Sequence, residues 1–181
     1  MEGPEVPTEH LHEQMHEHAH HPDSPSWVMG VALTSALIAG LAAVSSLLAG
    51  HHANEAMLEQ IQAANRWSYY QAKSIKKNVV ESKIETLTAL GQKPDTSEEK
   101  RIAAYDEELE KIKKEAEERE HASNAHLKKH EEFARGVTLF QVAIAVAAIA
   151  VLTKLRQFWY VGIFFAVVGV YFSLQALWLS I

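Results

Sequence analysis

The sequence predicts an all-α integral membrane protein: three transmembrane helices with a long antiparallel, coiled-coil-like helical hairpin on one membrane face. Three observations predict it. First, charge is segregated: residues 27–50, 136–153 and 157–181 carry no Asp, Glu, Lys or Arg. Second, each of these runs is close to the roughly 20 apolar residues that a helix needs to cross the hydrocarbon core. Third, the charged stretch 51–135 is fastened at both ends to apolar runs, so its two ends sit at the same membrane face. The domains expected are a tail (1–26), a span (27–50), the hairpin (51–135, turn 91–96) and two further spans (136–153 and 157–180).

Composition removes several function classes. The chain has 181 residues, no cysteine and a formal net charge of −6. Disulfides, thiolate metal sites and cysteine nucleophiles are therefore excluded. No strongly basic patch stands out, so nucleic acid is not an expected partner. The acidic, His-rich start does not read as a cleavable signal peptide. Nucleophile elbows, phosphate-binding Gly loops and zinc-protease motifs are missing. No motif supports an enzyme, and no catalytic residue is expected.

Residues 1–26 hold six acids and no Lys or Arg, which accounts for the whole net charge. Within Thr8–His21, His12, His16 and His20 recur every four residues, beside Glu9, Glu13 and Glu17 and with His18 close in sequence. On a helix those imidazoles share a face and can reach Zn, Ni or Cu. A solvated acidic tail and a pH-sensitive contact, made as imidazoles gain charge, are the other readings. Pro22 and Pro25 stop that segment, and Ser24 caps the next.

The first span begins at Trp27, a residue suited to the interface. It is rich in Gly, Ala and Ser: Ser35, Ala39, Ala43 and Ser46 recur on one face, as do Ala36 and Gly40. Small residues at this spacing let helix backbones approach, so packing against other helices is expected. A buried helix of a soluble bundle is the alternative, and two further apolar runs weigh against it.

Residues 51–90 continue as helix, with Met57, Ile61, Ala64, Ile75, Val79, Ile84 and Leu87 at helical spacings. Gly91-Gln92-Lys93-Pro94 is a stop and turn. Thr96-Ser97-Glu98-Glu99 reads as a capping box for the next helix. That helix carries a strict three-four seam: Ile102, Tyr105, Leu109, Ile112, Ala116, Arg119, Ser123, His126, His130 and Phe133. The two arms are about 40 residues each, or roughly 60 Å. Folding at the turn is expected to pair residues whose numbers sum to about 187, setting Ile75 against Ile112 and Val79 against Leu109. The tip half is then apolar inside. The membrane half sets Arg119, Ser123, His126 and His130 opposite 57–68.

Two clusters follow from that fold. His51, His52 and Glu55 should meet His126, His130 and Glu131 at the membrane face, as a metal or proton site or as polar groups satisfying one another. Trp67, Tyr69 and Tyr70, with Arg66 and Arg119 near, offer aromatic–guanidinium stacking, either inside the hairpin or on another subunit. The second span can continue the hairpin's second helix. Lys154-Leu155-Arg156-Gln157 turns the chain into the third span, which places Trp27 and Trp159 on one face. Lys and Arg near the spans (Arg66, Arg119, Lys128, Lys129 and Arg135 against Lys154 and Arg156) favour a cytoplasmic hairpin.

The stretches WVMGVALTSALIAGLAAVSSLLAGHHANEAMLEQIQAANRWSYYQAKSIKKN and ARGVTLFQVAIAVAAIAVLTKLRQFWYVG, with the start PTEHLHEQMHEHAHH, resemble a bacterial family of small membrane proteins, the domain of unknown function 4337 family. The resemblance covers nearly the whole chain. It implies a multi-pass protein of the bacterial inner membrane and carries over no activity or catalytic residue. The expected role is a non-enzymatic, homo-oligomeric scaffold or interaction protein in contact with lipid. The alternative is a metal- or pH-responsive membrane protein, a channel or transporter accessory, using the histidines.

Overall fold

The computed structural model describes residues 26–93 and 95–179, and its described residues contain helices and turns only. Helix α1 is Ser26–Ala89 (64 residues), α2 is Thr96–Thr153 (58 residues) and α3 is Arg156–Trp178 (23 residues). All three are long and apolar enough to cross a membrane. The chain divides into two compact units. One comprises the residues up to Ala53 together with those from Leu127; the other is Asn54–His126. The His12, His16, His18 and His20 tract lies outside the described residues.

The first unit is a three-helix core. Val28, Val31, Ala32 and Ile38 of α1 pack with Phe140, Ala143, Ile144, Ala147, Ala148 and Val151 of α2 and Ala166 of α3. Large apolar side chains such as Leu33, Leu37, Phe164, Val167 and Tyr171 face outward. Small residues let the helices approach. A methyl group on Gly162 would lie 3.0 Å from the Ala143 carbonyl oxygen, and one on Gly136 would lie 3.0 Å from that of Gly169. The Ser45 and Ser173 hydroxyls are 3.1 Å apart, a polar link from α1 to α3. On α1 the inward face carries Ser35 and Ser45, whereas Ala43 and Ser46 point outward. The face that small-residue spacing suggested is thus split. Val31 and Ile38 seat the helix instead, because their burial removes more apolar surface.

Between α2 and α3 the chain turns through Lys154 and Leu155 only. Lys154 takes a left-handed φ of 57°. The Arg156 guanidinium sits 5.6 Å over the Trp27 ring, and the Trp159 indole N–H donates to Thr34 Oγ1 at 3.1 Å. Trp27 and Trp159 thus lie at one end of this unit, as expected.

In the second unit, α1 ends in a Schellman motif. The Gln92 amide donates to Leu87 O at 2.9 Å and the Gly91 amide to Thr88 O at 3.0 Å, with Gly91 at φ 71°. The start of α2 differs from expectation. Asp95, not Thr96, is the cap: its carboxylate accepts the Ser97 amide at 3.0 Å and the Ser97 hydroxyl at 2.7 Å. A carboxylate outcompetes a Thr hydroxyl for those donors because the bond is charge-assisted, and Ser97 holds the Asp95 carboxyl below its ordinary range.

Candidate functional site

Within Asn54–His126, ion pairs join α1 to α2 in antiparallel order. Glu59 accepts two bonds at 3.0 Å from Arg119 Nη1, and Arg66 pairs with Glu115 at 3.3 Å. Lys73 pairs with Glu108 at 2.7 Å, Lys77 with Asp106 at 2.6 Å, and Lys83 with Glu98. The numbers of Arg66–Glu115, Lys73–Glu108 and Lys83–Glu98 each sum to 181, not to about 187. That register overturns the expected pairings. Ile75 and Val79 are each 64% exposed, and Met57 and Ile61 also face outward. Their expected partners Leu109 and Ile112 are buried. The fully buried residues of α1 here are instead Ala56 and Ala63; Lys73 and Lys77 are half-buried, as are Ile84 and Leu87 of the expected seam. The physical reason is that alanines admit close backbone approach, while lysine stems cover apolar surface and deliver their charge to the acids of α2. The α2 seam itself is turned inward as expected, except Arg119, which is exposed.

The aromatic patch is wired to acids. The Trp67 indole N–H donates to Glu120 Oε1 at 2.8 Å, Trp67 meets Tyr70 edge-on, and the Tyr69 hydroxyl donates to Glu108 Oε1 at 3.3 Å. Arginine stacking is not what forms. Arg119 and Arg66 are engaged by carboxylates, and Lys73 is the cation over both Tyr69 (5.5 Å) and Tyr105 (5.6 Å). The hydrogen bond to Glu108, followed by that to Tyr69, raises the Lys73 pKa, and the same Lys73 bond lowers that of Glu108. Lys77 is raised chiefly by Asp106. In the same unit, the Ser123 hydroxyl donates to the Ala56 carbonyl at 2.8 Å.

The polar cluster expected at the membrane is apportioned between the units: Glu55 and His126 belong to Asn54–His126, and His51, His52, His130 and Glu131 to the other. In that other unit the His52 ring stacks on Phe133 at 5.9 Å, and the His51 and His52 rings are 5.3 Å apart. His130 Nδ1 lies 2.9 Å from Ala49 O. A carbonyl only accepts, so Nδ1 carries the proton and Nε2 is left for another partner. Glu131 and Glu132 both pair with Arg135, at 4.0 and 2.6 Å. A shallow groove of about 530 Å³ runs from His130 and Arg135 down to Leu139 and Phe172. Among the described residues no three His, Cys, Asp or Glu side chains are grouped to hold a metal ion.

The contact surface that the sequence reading missed is on α3. Gly162, Ala166, Gly169 and Ala176 are its buried residues, and their four-three-seven spacing was the available signal.

Residues 27–179 match the family described as Domain of unknown function (DUF4337), and the chain belongs to that family. No curated protein and no solved structure matches it.

Proposed function

We propose that this member of the DUF4337 family is a non-enzymatic scaffold of a bacterial inner membrane, assembled from several copies of itself. Residues 27–50, 136–153 and 157–180 cross the bilayer, and 51–135 forms a coiled-coil-like hairpin on the cytoplasmic face. One observation carries the assembly: in a segment rich in charge, Met57, Leu58, Ile61, Ile75 and Val79 are turned outward. Large apolar side chains grouped on the outside of a water-facing helix mark an interaction surface. The outward aromatics and leucines of the spans meet lipid. The test is the mass of the full chain in mild detergent by light scattering. An oligomer is expected, and a monodisperse monomer overturns the reading.

A second reading rests on His130, whose Nε2 is left over from the Ala49 contact. It is a metal-responsive membrane protein, with Zn, Ni or Cu held by histidines, those of the tail included. Calorimetric titration of Zn into wild type, a His12/His16/His20→Ala variant and a His51/His52/His130→Ala variant decides it. Loss of binding in either variant supports the reading, and negligible heat from wild type removes it.

A further inference from the structure

The outward face of α1 differs in kind from that of α2. Between residues 57 and 79, α1 has five charged residues, Glu59, Arg66, Lys73, Lys76 and Lys77. Four are drawn to α2: Glu59 by Arg119, Arg66 by Glu115, Lys73 by Glu108 and Lys77 by Asp106. Lys76 stays outward, about a quarter turn to one side of a neutral stripe: Met57, Ile61, Ala64, Ser68, Ile75 and Val79, at spacings of three, four and seven. Ser68 makes no demand on a partner, because its hydroxyl donates to the Ala64 carbonyl of its own helix at 2.9 Å. Over the same unit α2 turns Glu107, Glu110, Lys111, Lys114, Glu117 and Glu118 outward. One arm is therefore a solvated face, and the other carries a neutral, largely apolar stripe with Lys76 at its edge.

Resting on the reading of a membrane-inserted homo-oligomer, we propose that the occupant of this stripe is the same stripe of a second copy, α1 against α1, parallel and in register. Copies inserted in one membrane share an orientation, so their α1 helices run in the same direction. A two-fold contact then sets each residue opposite or beside its own twin. Any charge along the centre of such a face would meet its like at close range, which is strongly repulsive. A stripe with no charge along its centre fits a twin, whereas a partner of opposite chemistry would be met by charge there. The glycines of α1 add independent support. Gly40 and Gly50 face outward, and a methyl group on either would meet nothing within 4 Å. By contrast, Gly136, Gly162 and Gly169 each have a neighbour against the missing side chain. Glycine weakens a helix relative to alanine, and close approach of another helix is what offsets that in a membrane span.

The chain contains no cysteine, so single cysteines report on the surface directly. Full-length Ile61→Cys and Ile75→Cys, oxidised in native membranes with copper phenanthroline, are expected to give covalent dimers. Lys111→Cys and Glu118→Cys on the charged face are expected to stay monomeric on the same gel. If light scattering shows an oligomer but positions 61 and 75 fail to cross-link, the surface is wrong and the assembly stands. If it shows a monomer, both fall. A second measurement is the Ile61→Glu/Ile75→Glu double variant, which should weaken self-association about tenfold or more with helix content by circular dichroism preserved. Unchanged association with unchanged helix content overturns the proposal.

Discussion

Gly169 lies so close to Phe140 that a methyl group on it would stand 2.8 Å from Cε1 and 2.9 Å from Cδ1 of the ring. Phe140 is fully buried, so the ring has no free space to retreat into. Gly169→Ala should therefore cost about 1–3 kcal/mol of stability, the range of overpacked cores, read from thermal unfolding in detergent. Phe140→Leu in the same chain should recover part of the loss. A Gly169→Ala chain as stable as wild type would mean that α2 and α3 pack differently.

Gly91 is the second glycine with a conformational duty, since its φ of 71° suits few side chains. Gly91→Ala should lose about 1–2 kcal/mol, and Gly91→Asn less, because Asn tolerates the left-handed region. Equal melting of the three proteins would contradict the Schellman turn.

The cap of α2 gives a sharp comparison. Asp95→Ala should lower the helix melting temperature, because the Ser97 amide and hydroxyl lose their acceptor. Thr96→Ala should have little effect. The reverse order would restore the cap expected from sequence.

Glu108 and Lys73 give the arm pair a pH window. The Glu108 pKa is lowered from its ordinary 4.5. Its stabilising contribution is therefore present above 4.5 and is lost as pH falls through the lowered value. The Lys73 pKa is raised from its ordinary 10.5, so its contribution is full below 10.5 and is lost as pH rises through the raised value. Thermal melts of wild type and Lys73→Met should converge at both extremes and differ most between them. A constant difference across pH would exclude the pair as its source.

Lys93 is exposed in the turn between α1 and α2. Lys93→Cys should resist an impermeant maleimide in intact cells and react once the membrane is broken. Labelling from outside intact cells reverses the proposed orientation.

Much of this fold was legible in the sequence. The absence of charge marked the apolar runs, Gly91 marked the stop, and three-four spacing marked Leu109, Ile112, Ala116, Ser123 and Phe133 of α2 as inward. The register of α1 was not legible, for a specific reason. Ranking side chains by apolar size puts Met57, Ile61, Ile75 and Val79 inside. Helix pairs also gain from close approach, and Ala56 and Ala63 supply it. The lysines that flank the interior look like surface until their acids are located. The histidines at 51, 52 and 130 were singled out by type, but their contacts with one another, Phe133 and Ala49 depend on rotamers that spacing does not report.

The ladder of ion pairs has a consequence for how the arms come together. Lys83 and Glu98 are 15 residues apart in the chain, Lys77 and Asp106 29, Lys73 and Glu108 35, and Arg119 and Glu59 60. Each rung, once closed, leaves only a short added loop to the next, and closure entropy grows slowly with such increments. The arms can zip from the Gly91 turn outward, beginning with contacts local in sequence, the regime in which folding is fast. During synthesis the tip can close before the last of α2 has been made. The second apolar run of the nascent chain would then emerge behind an arm pair already forming.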